Sequence, residues 1–517
     1  MILHRLHIDF VADKSLQDQL REGLVAAILA GVFPAEEPLP SCRKLALQLR
    51  ISRNTVALVY ESLLEDNYLI SRPRSGYYLH PAWQQPQNCA PERQTEQNGH
   101  QAPEWSKRFK LCPSNYLASL KPARWMNYPY PFIYGQPDTT RFPMEQWREV
   151  TRKVNSYQHD QNWLRDQIDQ DVPELIEQIR QRVLPKRGII ARSEEILITL
   201  GSQNALYMLA RLLFNQHTRV GVENPMFREA INAFSLQGST IVPHELDDEG
   251  VRLGEQSVDC DYYYVTPSHQ VPTGISMSTA RRGELLAFAR AHDQIIIEDD
   301  YDSETNFDPY PQAALKASDA DGRVIYVSSL SKALSPGLRL GYLVAPAELI
   351  DELRPLRRLM YRHPPTTIAY QMAQFLALGY YESYLKRYRE DSAMRWASVN
   401  RALNRWLPEA QRSPGSNHAN AFWVRMPEHI DTEHLAWRAA YAGVLIEPGH
   451  SHFLGNTIPA NYFRLGFHAI RPNQIETGIA LLAQAAHGRT TLSEQHPPLP
   501  VAGINSGVNH ALPQARI

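Results

Sequence analysis

The sequence predicts a multidomain chain: a small, mostly helical head, a polar tether, and a large α/β body that ends in a small α+β subdomain. Three observations carry this expectation. Apolar residues recur at helical spacing through the first sixty or so residues. β-branched runs alternate with helical stretches from residue 196 to residue 345. Between them lies a tract too rich in Gln, Pro and Asn to bury a core. A chain of 517 residues is also longer than one hydrophobic core usually supports.

Composition narrows the class. With 43% hydrophobic and 21% charged residues the chain reads as soluble and globular. A formal net charge of −2 excludes a globally basic coat for nucleic acid but leaves room for a local basic face. Cys42, Cys89, Cys112 and Cys260 lie far apart with no C-x-x-C pair, which argues against a disulfide framework or a zinc site, so no metal is expected. The N-terminal residues lack the apolar core of a signal peptide, and no run of about 18 uncharged apolar residues occurs. The expectation is a cytoplasmic protein with no membrane partner.

In the head, Leu16, Leu20, Leu24 and Ala27/Ile28 mark a first helix that Gly31 ends. Ser41 caps a second helix running to Leu49, and Ser52 caps a third whose inward face is Val56, Val59/Tyr60 and Leu63. The tight Leu49–Ser52 connection makes a helix-turn-helix, and Tyr68 to Leu79 reads as two short strands around a Pro/Gly turn, a wing. From Pro38 to Tyr60 there are Arg43, Lys44, Arg50 and Arg53 and no acid, with Arg72 and Arg74 in the wing. Such segregated charge is the footprint of duplex DNA binding, and Ser52, Arg53, Asn54 and Thr55 offer side chains from a helix N-terminus to bases or phosphates. The alternative is a three-helix interaction module whose arginines are merely solvated. The runs Pro38–Ala46, Ile51–Val56, Tyr60–Leu63 and Arg72–Gly76 resemble the DNA-binding domain of GntR-type regulators. That resemblance implies that Arg43, Arg53, Thr55 and the wing tip at Gly76 contact an operator. Lys44 stands where that family often carries Glu, which removes the capping box begun by Ser41.

The expected organisation is a head over residues 12–80, a flexible linker over 81–122, a body over 123–487 and a disordered tail over 488–517. Trp105, Phe109 and Leu111 are the linker residues expected to dock on the body.

The body opens with Phe132–Asp138 and an amphipathic helix near Trp147. Ile196–Leu200 is a strand, and Gly201-Ser-Gln-Asn-Ala205 starts a helix, a junction with free backbone N–H groups suited to phosphate. Arg219–Glu223 and Asp261–Val265 are further strands, the first leading to Phe227 and the second to Thr266–Gly274. Gln294–Tyr301 is a buried run ending in three carboxylates and a tyrosine, costly unless they meet a cation or proton donor. A pyridinium nitrogen is one such partner; helix capping or a magnesium ion are others. Val324–Val327 then delivers Ser329, Ser331 and Lys332, with Arg339 seven residues on, a set that suits an aldehyde cofactor bearing a phosphate. The last third reads as amphipathic helices to Leu407 followed by strands at 420–425, 444–447 and 461–467. Arg464, mid-strand, either snorkels to solvent or faces a carboxylate.

Taken together, these motifs resemble fold-type I pyridoxal-phosphate-dependent aminotransferases. The resemblance implies pyridoxal 5'-phosphate bound as a Schiff base to Lys332, with Asp299 as pyridinium partner and Tyr301 on the ring hydroxyl. It further implies Ser202, Gln203, Ser329, Ser331 and Arg339 around the phosphate, Phe227 stacked on the ring, and Arg464 reading a carboxylate. Val271 replaces the Asn those enzymes carry, and His269 or Gln270 is expected to take its role. A GntR-like head joined to such a body is similar to the MocR subfamily of regulators. That implies a transcriptional regulator that binds a double-stranded operator, senses an amino compound or the cofactor itself, and forms a head-to-tail homodimer. The competing reading is an active aminotransferase with an accessory DNA-binding domain.

Overall fold

In the computed structural model the described residues are 8–11, 14–34, 36–83, 103–113, 122, 124–135, 137–156, 163–302, 304, 306–308, 311–416 and 419–488. Most of the expected linker, and the tail from residue 489, lie outside them. The chain divides into two compact units, Met1–Arg108 and Phe109–Ile517.

The head holds three helices, α1 (Leu16–Leu29), α2 (Cys42–Leu49) and α3 (Arg53–Glu65), then an antiparallel pair, β1 (Leu69–Arg72) and β2 (Gly76–Leu79). Leu20, Leu24, Ile28, Val56, Val59, Tyr60 and Leu63 form its core, so the helical periodicity predicts the buried face. Leu16 departs from it: at 45% exposure it begins α1 without packing inside. Ser41 Oγ accepts from Lys44 N and Ser52 Oγ from Thr55 N, so both expected caps form. Arg50 takes left-handed backbone (φ 55°) to make the turn between α2 and α3. Tyr60 Oη donates to Pro40 O, pinning α3 to the segment before α2.

The body is built on an eight-stranded sheet. Its strands are β4 (Ile196–Thr199), β5 (Arg219–Asn224), β6 (Thr240–Asp247), β7 (Gly250–Val251), β8 (Tyr262–Val265), β9 (Ile295–Asp299), β10 (Val324–Ser329) and β11 (Gly341–Val344), in the order β4-β11-β10-β9-β8-β5-β6-β7. β10, β9, β8, β5 and β6 run parallel, while β11 is antiparallel to both β10 and β4, and β7 to β6. Successive residues bury opposite faces: Ile325 and Val327 pack in one core and Tyr326 in another. This is why the strands read as unbroken apolar runs. Around the sheet lie α4 (Met144–Val154), α5 (Pro173–Gln178), α6 (Ser202–Leu213), α7 (Arg228–Ser235), α8 (Thr279–Ala291), the single turn α9 (Ser331–Leu334), α10 (Ala347–Tyr361) and α11 (Thr366–Ala377). Arg357 on α10 is fully buried and donates to Asp171 Oδ1 at 2.5 Å and Ile198 O at 2.8 Å, tying that helix to β4.

The long α12 (Tyr380–Trp406) leads into the subdomain, where β12 (Gln411–Arg412), β13 (Ala421–Arg425), β15 (Glu447–Pro448) and β16 (Tyr462–Gly466) form an antiparallel sheet ordered β12-β13-β16-β15. It packs with α13 (Thr432–Tyr441) and α14 (Ile475–Ala486) over a core of Phe422, Val424, Leu435, Phe463, Leu465 and Leu482. Val444–Glu447, expected as one strand, splits: β14 (Val444–Leu445) pairs in parallel with β3 (Tyr130–Pro131), and Glu447 joins β16. Phe109 and Leu111 are exposed, against the expectation that they dock on the body. Among the described residues no helix is long and apolar enough to cross a membrane.

Candidate functional site

The head leaves its basic residues open to solvent. Arg43, Ser52, Arg53, Asn54, Arg72 and Gly76 are exposed and Thr55 is half-buried. Arg43, Lys44, Arg50 and Arg53 form no ion pair among the described residues, so their charge is free for an anion. Ser52 and Thr55 are partly committed: Ser52 Oγ accepts from both the amide and the hydroxyl of Thr55. The guanidinium of Arg72 lies 4.2 Å from the Tyr78 ring centroid, which holds it beside the wing tip. Gly76 pairs with Arg72 as the first residue of β2, so the tip itself is Pro73-Arg74-Ser75.

In the body, the carboxyl-end edge of β9 and β10 opens into a cavity of about 330 Å³. Ser202, Gln203, Phe227, Asp299, Tyr301, Ser329, Ser331, Lys332, Arg339 and Arg464 all line it, ten residues drawn from six separate segments. Alternation along β9 explains which acid arrives. Glu298 points the other way and accepts from Leu315 N and Lys316 N. Asp300 is paired with Arg187 and takes a hydrogen bond from Tyr326. Only Asp299 of the three lines the cavity, its Oδ2 accepting from Tyr264 Oη at 2.8 Å and its buried Oδ1 without a partner among the described residues. Burial pushes its carboxyl up to about 7.

Lys332 follows β10 on the one-turn α9, its Nζ 4.1 Å from the Tyr134 ring centroid and 5.3 Å from that of Tyr301. Burial pushes its ammonium down to about 8, against the pull of Asp302. Gly201 stands at the N-cap of α6 with φ 87°, and a Cβ there would lie 3.2 Å from Nη2 of Arg339. Arg339, itself left-handed (φ 48°), donates from that nitrogen to Leu200 O. A Cβ on Gly341 would come within 2.7 Å of the Gly201 backbone, so β11 and the start of α6 meet with no side chain between them. Arg464 lies 3.4 Å from the Tyr134 centroid and is cross-strand neighbour to Glu447. Burial opposes the Arg464 charge, but Glu447 and Tyr134 outweigh it and hold the guanidinium above its usual range. Burial likewise opposes the Glu447 carboxylate, yet its hydrogen bond to His452 and the nearby Arg464 keep it low.

Residues 133–479 match the family described as aminotransferase class I and II, and residues 16–79 match the bacterial regulatory proteins of the gntR family. The chain is 35% identical to the HTH-type transcriptional regulator TauR of Rhodobacter capsulatus over 91% of its own length and 96% of that protein's. The chain belongs to the MocR-type GntR regulators. It is 30% identical to the probable rhizopine catabolism regulatory protein MocR of Rhizobium meliloti, over 93% of this chain and 95% of that one. Among solved structures it superimposes on LysN, the α-aminoadipate aminotransferase of Thermus thermophilus, with a TM-score of 0.68 and 26% identity over 74% of this chain and 98% of that one. This MocR-type chain is therefore a DNA-binding transcriptional regulator with an aminotransferase-like domain.

The aminotransferase fold of MocR-type chains implies pyridoxal phosphate, and the cavity has places for it. The unpartnered Oδ1 of Asp299, the Lys332 amine and the glycine-lined junction beside Arg339 are the groups such a cofactor needs. Two expectations fail on hydrogen bonding. The Ser331 hydroxyl donates to Leu340 O and accepts from Leu340 N, so it has no proton left for a phosphate. Neither His269 nor Gln270 lines the cavity: the Gln270 amide is spent on Glu223, Pro225 and Val271, and His269 offers only its carbonyl, to Tyr301. Val271 lines the wall instead. Sequence reasoning missed Tyr134, Arg228, Glu447 and His452, which also line it. Tyr134 lies within the opening run Phe132–Asp138, and Glu447 ends the run 444–447 expected as one strand; nothing in their spacing marks either as cavity residues.

Proposed function

We propose that this regulator binds pyridoxal 5'-phosphate in the body cavity, senses there a small primary amine bearing an acidic group, and converts that event into altered DNA binding by its head. The single observation that carries the reading is the convergence of Lys332, the unpartnered oxygen of Asp299 and Arg339 on one cavity in a chain that also has a winged helix. LysN, the neighbour in structure, was solved with a phosphopyridoxyl ligand. When bound, the cofactor supplies an aldehyde carbon that condenses reversibly with primary amines.

The chain's own residues have the following parts. Lys332 would be the residue that holds the cofactor's carbonyl carbon, and its amine would be the group that an incoming primary amine replaces. Its lowered ammonium value leaves a useful fraction uncharged near neutral pH. Asp299 Oδ1 accepts the ring N–H, with Tyr264 orienting the carboxylate through Oδ2. Arg339, Gln203, the Ser202 and Ser329 hydroxyls and the amide groups opening α6 hold the phosphate. Phe227 would cover the ring face, and the Tyr301 hydroxyl, which donates to His269 O, would be the group for the ring oxygen. Arg464 takes the amine's acidic group. In the head, Arg43, Arg53, Asn54, Thr55 and Arg72 contact the operator. The protein acts in the cytoplasm as a homodimer, paired head to tail, which offers two heads to paired half-sites. Ligand binding shifts DNA affinity only so far as it prefers one arrangement of those heads.

The test is a titration of the cofactor-bound protein with amines, read by visible absorbance, repeated with labelled promoter DNA. Amines that shift the absorbance should also shift the DNA affinity. A protein that gains no absorbance on addition of pyridoxal phosphate overturns the reading, and sustained release of a keto or aldehyde product with a keto acceptor favours the aminotransferase instead.

A further inference from the structure

Besides Arg339, two guanidinium groups line the cavity, Arg464 on β16 and Arg228 at the first position of α7. Their surroundings differ. Arg464 has Glu447 opposite it in the ladder and Tyr134 against its face. Arg228 has no ion pair or hydrogen-bond partner among the described residues; its Nε, like that of Arg464, is buried without an acceptor. Burial alone acts on it and holds its guanidinium below the usual arginine range. The adjacent Glu229 also lines the cavity, but its carboxylate accepts from Asn232 on the same helix. The free amide groups that begin α7 add positive potential where Arg228 already stands. A cation so placed is costly until an anion joins it.

We propose that Arg228 is a second anion-recognition residue of this cavity, acting with Arg464 on the acidic group of a short primary amine. The proposal rests on the reading of the cavity as an effector site. Its volume of about 330 Å³ is near the lower end for small-molecule sites, and the cofactor fills the part near Lys332. The amine is therefore only a few carbons long, and its acid, carboxylate or sulfonate, falls within reach of the cavity's other cations. Arg464 is partly neutralised by Glu447, so the uncompensated charge that selects an acid over a neutral amine comes from Arg228.

The experiment titrates the cofactor-bound full chain with 3-aminopropionate, 2-aminoethanesulfonate and propylamine, by visible absorbance and by calorimetry. The wild type should bind at least one of the two acids more tightly than propylamine, and the favoured acid identifies the group. Arg228→Gln should weaken that acid about tenfold or more, the loss expected of a charge-assisted hydrogen bond, and leave propylamine unchanged. Arg228→Lys should recover part of the loss; it also carries the test if the glutamine variant fails to hold cofactor. An acid affinity that Arg228→Gln leaves unaltered, or a loss shared equally by propylamine, overturns the proposal while the effector reading stands. A cofactor-bound wild type that prefers neither acid overturns this proposal, and one that responds to none of the three overturns the effector reading with it.

Discussion

Lys332 carries an amine whose surroundings decide when it reacts. With the ammonium held near 8, about one molecule in eleven is uncharged at pH 7 and half at pH 8. The uncharged form is the nucleophile, so uptake of pyridoxal phosphate by the cofactor-free protein should speed up about fivefold from pH 7 to pH 8 and level off above pH 9, as stopped-flow absorbance would record. A rate that keeps climbing to pH 10 would mean an ordinary exposed lysine. Asp299 is the second residue with a clear expectation. Its carboxyl sits near 7 because burial, helped by the neighbouring Asp300 charge, outweighs the Tyr264 hydrogen bond and the pull of Lys332. Asp299→Asn keeps the shape and removes the charge, and should lower cofactor affinity by about ten- to a hundredfold with little change in thermal unfolding of the cofactor-free protein. Lys332, Asp299 and Arg339 were legible in the sequence because each sits beside a strand end that apolar runs locate. Arg228 and Glu447 were not, since they face the cavity through tertiary packing that no local spacing encodes.

Elements were read well where periodicity and caps agree. The three head helices follow from Ser41, Ser52 and the buried heptad-like faces, and replacing Ser52 with Ala should cost about 1 kcal/mol in chemical unfolding of the full chain, read by a probe in the head such as Trp83. In the body the apolar runs of β9 and β10 located those strands almost to the residue, but β6 escaped because Thr240-Ile-Val-Pro-His-Glu-Leu-Asp247 mixes polar residues and a proline into a strand near the sheet's edge. The buried Arg357–Asp171 pair was equally invisible, its partners 186 residues apart. Arg357→Ala leaves Asp171 with only Arg354 for a counter-charge and should destabilise the body by about 3–5 kcal/mol, measured as a lower denaturation midpoint.

At the scale of the whole molecule, two chemistries share one chain and should separate under mutation. Arg53→Ala should weaken operator binding and reduce the slope of log affinity against log salt by about one, while the cofactor absorbance stays as in the wild type. Lys332→Ala should do the reverse, abolishing the absorbance change with amines while basal DNA binding persists. If Lys332→Ala also loses basal binding, the cofactor is needed for the DNA-competent arrangement and not only for its control. The chain divides at Arg108/Phe109, so the polar tract expected as a linker falls within the first unit and does not lie between two units.

The meeting of Gly201 and Gly341 gives the Arg339 end of the cavity an unusual sensitivity. Arg339 and the opening turn of α6 are 138 residues apart, yet their separation is fixed by two bare backbones in contact, with no side chain to act as a shim. A methyl group on Gly341 would have to push the helix start outward by the better part of an ångström, since the opposing atoms are main chain and cannot rotate away. The sheet would survive such a shift, and so would the head. What would be lost is calibration: a regulator that still folds and still finds DNA, but has gone deaf to its ligand.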